Sequence, residues 1–511
     1  MRQAEKDNFS NKLSEAKNNL VKTIGNIINS EVAKHAVAKH AVAKHRMDQI
    51  EIGGLEINNP LSIAEKFNNF FTNVGPELAK KIAPTSQNST DFLKGNYCNS
   101  MFLEPTTEEE IIDIITNLKN SSSTGQDNIP IKLIKLCKTE LAPILSHINN
   151  QSLSDGIFPD SLKIAKVVPI YKNEDIKCVS NYSPISILPS FSKITEKLIY
   201  TRLDKYLTKN SILHQNQFGF RSKLSTSMAL LELIDNLSKS IDDRKLTLGV
   251  FIDLAKAFDT VDHRVLLSKL QHYGIRGIAL SWFQNYLTNR TQYTVIDNAE
   301  SSQSLIKCGV PQGSILGPIL FLIYINDLNY ISKLLHTIMF ADDTNLFLTG
   351  KSLTELEQQM NKKLEIVNNW FKANLLSLNV TKTSYIIFGN KKCHDINIFI
   401  QNTSLSRQFE TKFLGVILSS NLKWNKHIEV ICSKISKNVG IISKIRHILP
   451  PFLTRSLYLS LIEPYISYCN LVWSSSGKSQ VLNRVLKIQK RYVRLISFSS
   501  YRAHSQPLLK N

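Results

Sequence analysis

The residue pattern predicts an α+β fold, a small antiparallel sheet packed by helices, on three observations. Two apolar runs, Thr337 to Phe340 and Leu346 to Leu348, flank Ala341-Asp342-Asp343 and form the pattern of a β-hairpin. Val250-Phe251-Ile252 is a strand that runs straight into Asp253, and a helical period follows from Val261 to Leu270. Helical spacing of apolar residues recurs at Leu61 to Ile82, through Ile63, Ala64, Phe67, Phe70, Phe71 and Val74, and again at Leu482 to Ile496.

Taken in chain order, residues 1 to about 50 form a low-complexity arm with a five-residue repeat, Ala-Val-Ala-Lys-His, at Ala36 to His40 and Ala41 to His45. Successive histidines at this spacing stand ~140° apart on an α-helix, so His35, His40 and His45 cannot share one metal-binding face. The arm is assigned no role.

The two adjacent acids at the hairpin tip are the central chemical signal. Asp342 and Asp343 repel each other, so they are tolerated only where water or cations neutralise them. Taken alone they also suit a plain polar turn, because Asp and Asn are ordinary turn residues. Asp253 changes the balance: a third carboxylate at a strand end, facing that tip, would build an oxygen-rich site for two Mg²⁺ ions roughly 3.5–4 Å apart, with Mn²⁺ as the alternative. Such a site suits phosphoryl transfer to a 3′-hydroxyl. Gly309-Val310-Pro311-Gln312-Gly313-Ser314 then opens an apolar helix from Ile315 to Ile325, and its glycines let backbone approach a ligand or simply start the helix.

In this order the motifs resemble the reverse transcriptases of non-LTR retrotransposons, of the jockey-like type. The likeness extends through Ser123 to Pro130, Ala165 to Lys172, Gln217-Phe218-Gly219-Phe220-Arg221, Leu378 to Thr383 and Lys412-Phe413-Leu414-Gly415. It covers the chain from about Asn58 onward, and several short motifs in one order are far more specific than any one of them. A group II intron maturase or a telomerase would share the same metal chemistry, but the stretches Phe158 to Leu203 and Lys412 to Leu418 look closer to mobile elements.

The resemblance implies a right-hand polymerase architecture of fingers, palm and helical thumb. Its expected bounds are a helical pre-fingers segment at 51–105, fingers at 106–249, palm at 250–390 and a palm–thumb junction with a basic thumb at 391–511, the reverse transcriptase domain itself running over about 160–420. It also implies roles. Asp253, Asp342 and Asp343 would be the catalytic carboxylates and metal ligands, with the carbonyl of Leu254 as a further ligand, and Lys382 would protonate the leaving pyrophosphate. Phe258 would exclude a ribose 2′-hydroxyl, although a core aromatic fits the position too. Gln312, Gly313 and Lys172 would meet the nucleotide, and Gly219, Phe220 and Arg221 the template and primer. Ser183 departs from the pattern: relatives place arginine there as a triphosphate clamp, and a hydroxyl cannot supply the bidentate fork of a guanidinium. An RNA template, a DNA primer or target and dNTPs are the implied partners. The first hundred residues carry no recognisable endonuclease constellation, so a polymerase portion without that activity is expected. The alternative is an impaired or domesticated RNA-binding protein that keeps the fold.

Composition agrees. With 62 Lys plus Arg against 42 Asp plus Glu, the net charge is +20, which favours a polyanionic partner. From Asn421 to Asn511 there are fifteen basic residues and two acids, so thirteen of those charges lie in the last ninety-one residues. Within them Leu482, Val485, Leu486, Val493 and Ile496 share one helix side, while Arg484, Lys487, Arg491 and Arg494 recur as a basic stripe, either a phosphate track or a solvated face. Tyr465, Tyr468, Trp473 and Tyr492 could stack on bases or fill the core. Seven cysteines without Cys-x-x-Cys spacing indicate neither a disulfide framework nor a zinc knuckle and fit a reducing compartment. No apolar run reaches the ~18 residues of a membrane span, so an intracellular protein of nucleus and cytoplasm is expected, without membrane partners.

Overall fold

The computed structural model describes residues 49–52, 55–172, 174–389, 394–447, 449, 451–474, 479–500 and 502–504. The Ala-Val-Ala-Lys-His repeat and Cys393 lie outside the described residues.

Seven strands position the site: β1 (Ile164–Tyr171), β2 (Tyr182–Ile187), β3 (Leu246–Ile252), β4 (Thr291–Ile296), β5 (His336–Phe340), β6 (Asp343–Gly350) and β7 (Ser384–Phe388). Eight helices support them: α1 (Pro60–Lys80), α2 (Ser190–Lys209), α3 (Thr226–Asp242), α4 (His263–His272), α5 (Leu316–Ile325), α6 (Leu353–Ala373), α7 (Asn425–Ile445) and α8 (Ser479–Ile496). Each element expected from the pattern is present, with its ends shifted by a few residues. Helix α1 starts one residue before Leu61 because Pro60 suits the first helical position and Asn59 Oδ1 accepts from the N–H groups of Leu61 and Ser62 at 2.9 and 3.2 Å.

The central sheet runs in the order Ser406–Arg407, β7, β3, β6, β5. Strand β3 lies antiparallel to both β6 and β7, and only the short edge pair is parallel. Since side chains alternate along a strand, Leu248, Val250 and Ile252 point to one face, and Thr247, Gly249 and Phe251 to the other. The first face packs on Leu266, Leu270, Leu316, Leu320, Leu364 and Val367 of α4, α5 and α6. On the second face Phe347 and Phe388 pack with Leu230 and Leu233 of α3 and with Ile435 and Val439 of α7. A sheet covered on both faces explains why its strands are nearly unbroken apolar runs.

A second sheet joins β2, β1 and β4, with α1 packed on it through Ile63, Phe67 and Phe71 against Val167, Tyr182 and Ile296. Among the helices beneath the central sheet lies a fully buried ion pair, Lys269 Nζ to Asp327 Oδ1 at 2.6 Å.

The C-terminal part is helical, and α8 buries the expected side, with Leu482 and Ile496 partly covered, except at Leu486. Val485, Tyr492 and Val493 are buried whereas Leu486 is 40% exposed, although 486 and 493 stand two turns apart on one face just as 485 and 492 do. Tyr492 donates to the Thr454 carbonyl at 2.6 Å, and Trp473 Nε1 to the Tyr468 carbonyl at 2.9 Å. Both rings are core residues, which removes them from the candidates for base stacking; Tyr465 and Tyr468 stay partly exposed. Among the described residues no helix is long and apolar enough to cross a membrane.

Candidate active site

The acids converge because of strand register. Thr344 pairs with Ile252, so one step further Asp343 stands across from Asp253, on the sheet face that carries Phe251 and Phe347. The β5–β6 hairpin pairs Phe340 with Asp343 and turns through Ala341 and Asp342 alone. Ala341 adopts φ 58°, a left-handed conformation that costs a residue with a Cβ about 1 kcal/mol. Asp253 is held from the other side: its carbonyl accepts from Asn379 N–H at 2.9 Å, and its N–H donates to Thr383 Oγ1 at 3.3 Å.

Mutual repulsion is written into the acidities. Burial, then the charges of Asp342 and Asp253, push the Asp343 carboxyl up to about 6. Asp342 is raised too, by burial first and then by Asp253, while a backbone hydrogen bond and Lys172 hold it back. Both side chains nevertheless reach solvent. The site is therefore a cluster of acids short of positive charge, which is the electrostatic condition that favours a divalent cation. Among the described residues no group of three or more His, Cys, Asp or Glu side chains is placed to hold a metal ion, so the expected three-carboxylate metal site is not assembled here.

The strained turn is fixed by a residue that the sequence pattern did not single out. Gln217 is buried; its Oε1 accepts from Gly219 N–H at 2.9 Å and from Ala341 N–H at 3.2 Å. The segment around it extends the sheet edge, with Phe218 N–H donating to the Met339 carbonyl at 2.8 Å and Met339 N–H to Asn216 at 3.0 Å. Gly219 lies directly on the turn: a Cβ there would come within 2.2 Å of Ala341 N. The glycine therefore acts on the acid-bearing turn from beneath. The sequence offered Gln217 and Gly219 within one motif, and Gly219 as a template or primer neighbour, without announcing their hold on this turn.

The other expected residues fall into two groups. Lys172 is close enough to pull down the pKa of both Asp342 and Asp259, and Lys382 is exposed on the loop that docks on Asp253, within electrostatic reach of Lys256. Phe258 is partly exposed, stacked on Phe321 at 4.5 Å and edge-on to Phe220 at 6.2 Å, so it is both a core neighbour and a wall of the cleft. Gln312 Nε2 donates to Asp259 Oδ1 at 2.7 Å. Gly313, at φ 133°, makes its close approach to strand β2, where a Cβ would meet the Ser186 carbonyl oxygen at 2.3 Å. Ser183 sits on β2 across from Ile170, near the strand end that leads into Lys172.

For template and primer, Phe220 is 49% exposed beside Phe258, but the Arg221 guanidinium donates to the carbonyls of His214 at 2.8 Å and Gln217 at 3.1 Å, closing its own loop. Along α8, Arg484, Lys487 and Arg491 are exposed, while Arg494 turns to donate from Nε to the Ala503 carbonyl at 2.7 Å. That commitment separates Arg494 from the free stripe.

Residues 170–418 match the family described as "Reverse transcriptase (RNA-dependent DNA polymerase)". The chain is 28% identical over 436 residues to the "Probable RNA-directed DNA polymerase from transposon BS" of Drosophila melanogaster, covering 81% of this chain and 47% of that protein. It is 27% identical over 422 residues to the "RNA-directed DNA polymerase from mobile element jockey" of the same organism, covering 80% and 45%. The "Putative 115 kDa protein in type-1 retrotransposable element R1DM" is 25% identical over 407 residues, covering 78% and 39%. The chain spans about half the length of the first two of these relatives.

Proposed function

Residues 170–418 are a reverse transcriptase domain of the non-LTR retrotransposon kind, and on that premise we propose that this chain extends a DNA 3′ end on an RNA template by nucleotidyl transfer. The observation that carries the proposal is the pairing of β3 with β6, which sets Asp253 across from Asp343 with Asp342 in the adjoining turn. In right-hand terms the central sheet and its helices are the palm, the β1–β2 pair belongs to the fingers, and the basic helices from α7 onward are the thumb.

Two Mg²⁺ ions, or Mn²⁺, would be held by Asp253, Asp342, Asp343 and the Leu254 carbonyl; when bound they lower the pKa of the attacking hydroxyl and neutralise charge on the leaving pyrophosphate. The remaining work belongs to the chain. Lys172 supplies a point charge for the triphosphate, in place of the guanidinium that Ser183 lacks. Phe258 closes the space that a 2′-hydroxyl would need, and Gln312 and Gly313 form the facing wall. Lys382 holds a proton for the pyrophosphate. Gly219 and Phe220 border the template, and Arg484, Lys487 and Arg491 follow the duplex phosphates. Free cysteines at 98, 137, 178, 308, 432 and 469 support a reducing setting, with nucleus and cytoplasm as the compartments.

Primer extension on an RNA template tests this. Asp342→Ala should lower the rate by about 100- to 1,000-fold while RNA binding persists. Tight RNA binding by the parent chain with no product under Mg²⁺ or Mn²⁺ would instead favour the domesticated binding protein.

A further inference from the structure

Asp259 is an acid that the roles above leave unused. Its Oδ1 accepts from Gln312 Nε2 at 2.7 Å, and its Oδ2 is buried with no hydrogen-bond partner among the described residues. The main chain around it is enclosed: a Cβ on Gly75 would meet the Asp259 carbonyl oxygen at 2.3 Å and one on Gly309 at 2.9 Å. Backbone bonds join the same two segments, Val310 N–H to the Phe258 carbonyl at 2.9 Å and Gly309 N–H to the Val261 carbonyl at 2.8 Å. A residue serving only to fill space would not be an acid, because a buried carboxyl oxygen without a partner is destabilising.

We propose that Asp259 is a positioning residue of the nucleotide pocket, a strut that locks the Gln312 amide and thereby holds the Phe258 ring and the 309–314 loop as one wall. The inference rests on the polymerase reading. A glutamine amide can present either edge to a ligand. With one Nε2 hydrogen held by Asp259, the amide is fixed in one orientation, which leaves the acceptor Oε1 and the second N–H for the pocket. Phe258 is the residue immediately before the strut, and its ring is held between Phe321 and Phe220. Loosening the strut therefore reaches the ring that borders the sugar.

The test exchanges donor and acceptor. Gln312→Glu sets two carboxylates against each other at unchanged size, and should raise the KM for dNTP at least tenfold with kcat within threefold, and cut the preference for dNTP over rNTP at least fivefold. Adding Asp259→Asn restores a bond of reversed polarity, Asn donating to Glu, and should recover most of both losses. A double variant no better than Gln312→Glu overturns the strut, as does a sugar preference unmoved in Gln312→Glu. Equilibrium binding of fluorescent dATP under Ca²⁺ gives the same ordering without turnover. A parent chain that binds dATP in the expected order but makes no product sinks the polymerase reading alone; a parent that does not bind dATP overturns the strut as well.

Discussion

Replacing Asp327 by Asn probes the most deeply buried charge pair of the fold. Both partners are fully buried; Lys269 Nζ donates to Asp327 Oδ1 at 2.6 Å and to the Tyr324 carbonyl at 2.5 Å, while Trp370 Nε1 donates to Asp327 Oδ2 at 2.9 Å. The ammonium also lies 5.1 Å from the Tyr324 ring centroid and 5.0 Å from that of Trp370. Asp327 thus faces two donors with two acceptors. Asparagine offers only one acceptor oxygen, so one donor must meet its NH₂, and the lysine loses its counter-ion. Breaking a buried pair in this way costs about 3–5 kcal/mol. Burial already pulls the Lys269 pKa down and Asp327 holds it up, so the variant releases that restraint. A base whose folded pKa lies below its unfolded value gains stability as pH rises, and the deficit of Asp327→Asn should shrink between neutral and alkaline pH. Urea unfolding followed by tryptophan fluorescence measures both effects. Adding Lys269→Met removes the orphaned charge and should return stability to within about 2 kcal/mol of the parent. A single variant costing less than about 1 kcal/mol, or a double variant no better than the single, would refute this account of the pair.

Gly219→Ala drives a methyl into Ala341 N, 2.2 Å away, and should shift the acid-bearing turn; a displacement of about 1 Å at a reacting centre lowers rate on the order of 100-fold, readable by primer extension with RNA binding as the control. Asp259 carries its own pH signature. Its folded pKa of about 6 lies above the ordinary 3.8, so the fold disfavours its ionisation, and about 3 kcal/mol of stability present below pH ~4 is lost as pH rises to ~6. Asp259→Asn should abolish that slope, and the stability difference between variant and parent, measured by urea unfolding at several pH values, should widen toward neutral pH. Ser183→Arg should lower the apparent KM for dNTP by providing a bidentate phosphate fork, with no improvement meaning that Lys172 suffices.

Much of the candidate site was legible from the chain alone because its signals are local. A strand ending in Asp253, a two-residue turn bearing Asp342, and an apolar helix after Pro311 each depend on residues within a few positions of one another, and all three formed as expected. The side of α8 that meets the core was legible only in part: Leu486 and Val485 are equally apolar, and neighbouring helices decide which of the two is covered. Arg221 and Arg494 also read as free cations, since nothing near them in sequence announces the carbonyls of His214, Gln217 and Ala503 that engage them.

The sequence by itself determined the elements, the basic C-terminal end and the three acids, because periodicity, turn chemistry and charge are properties of short stretches. Only the tertiary structure decided that Gln217 and Gly219 would underpin a turn more than a hundred residues away, that the charge of Lys172 would reach Asp342, and that Asp259 would hold Gln312. Those relations depend on the register of β3 against β6 and on loops folded over them. Such pairings across long separations leave no period in the chain, and packing of both sheet faces is what fixes them.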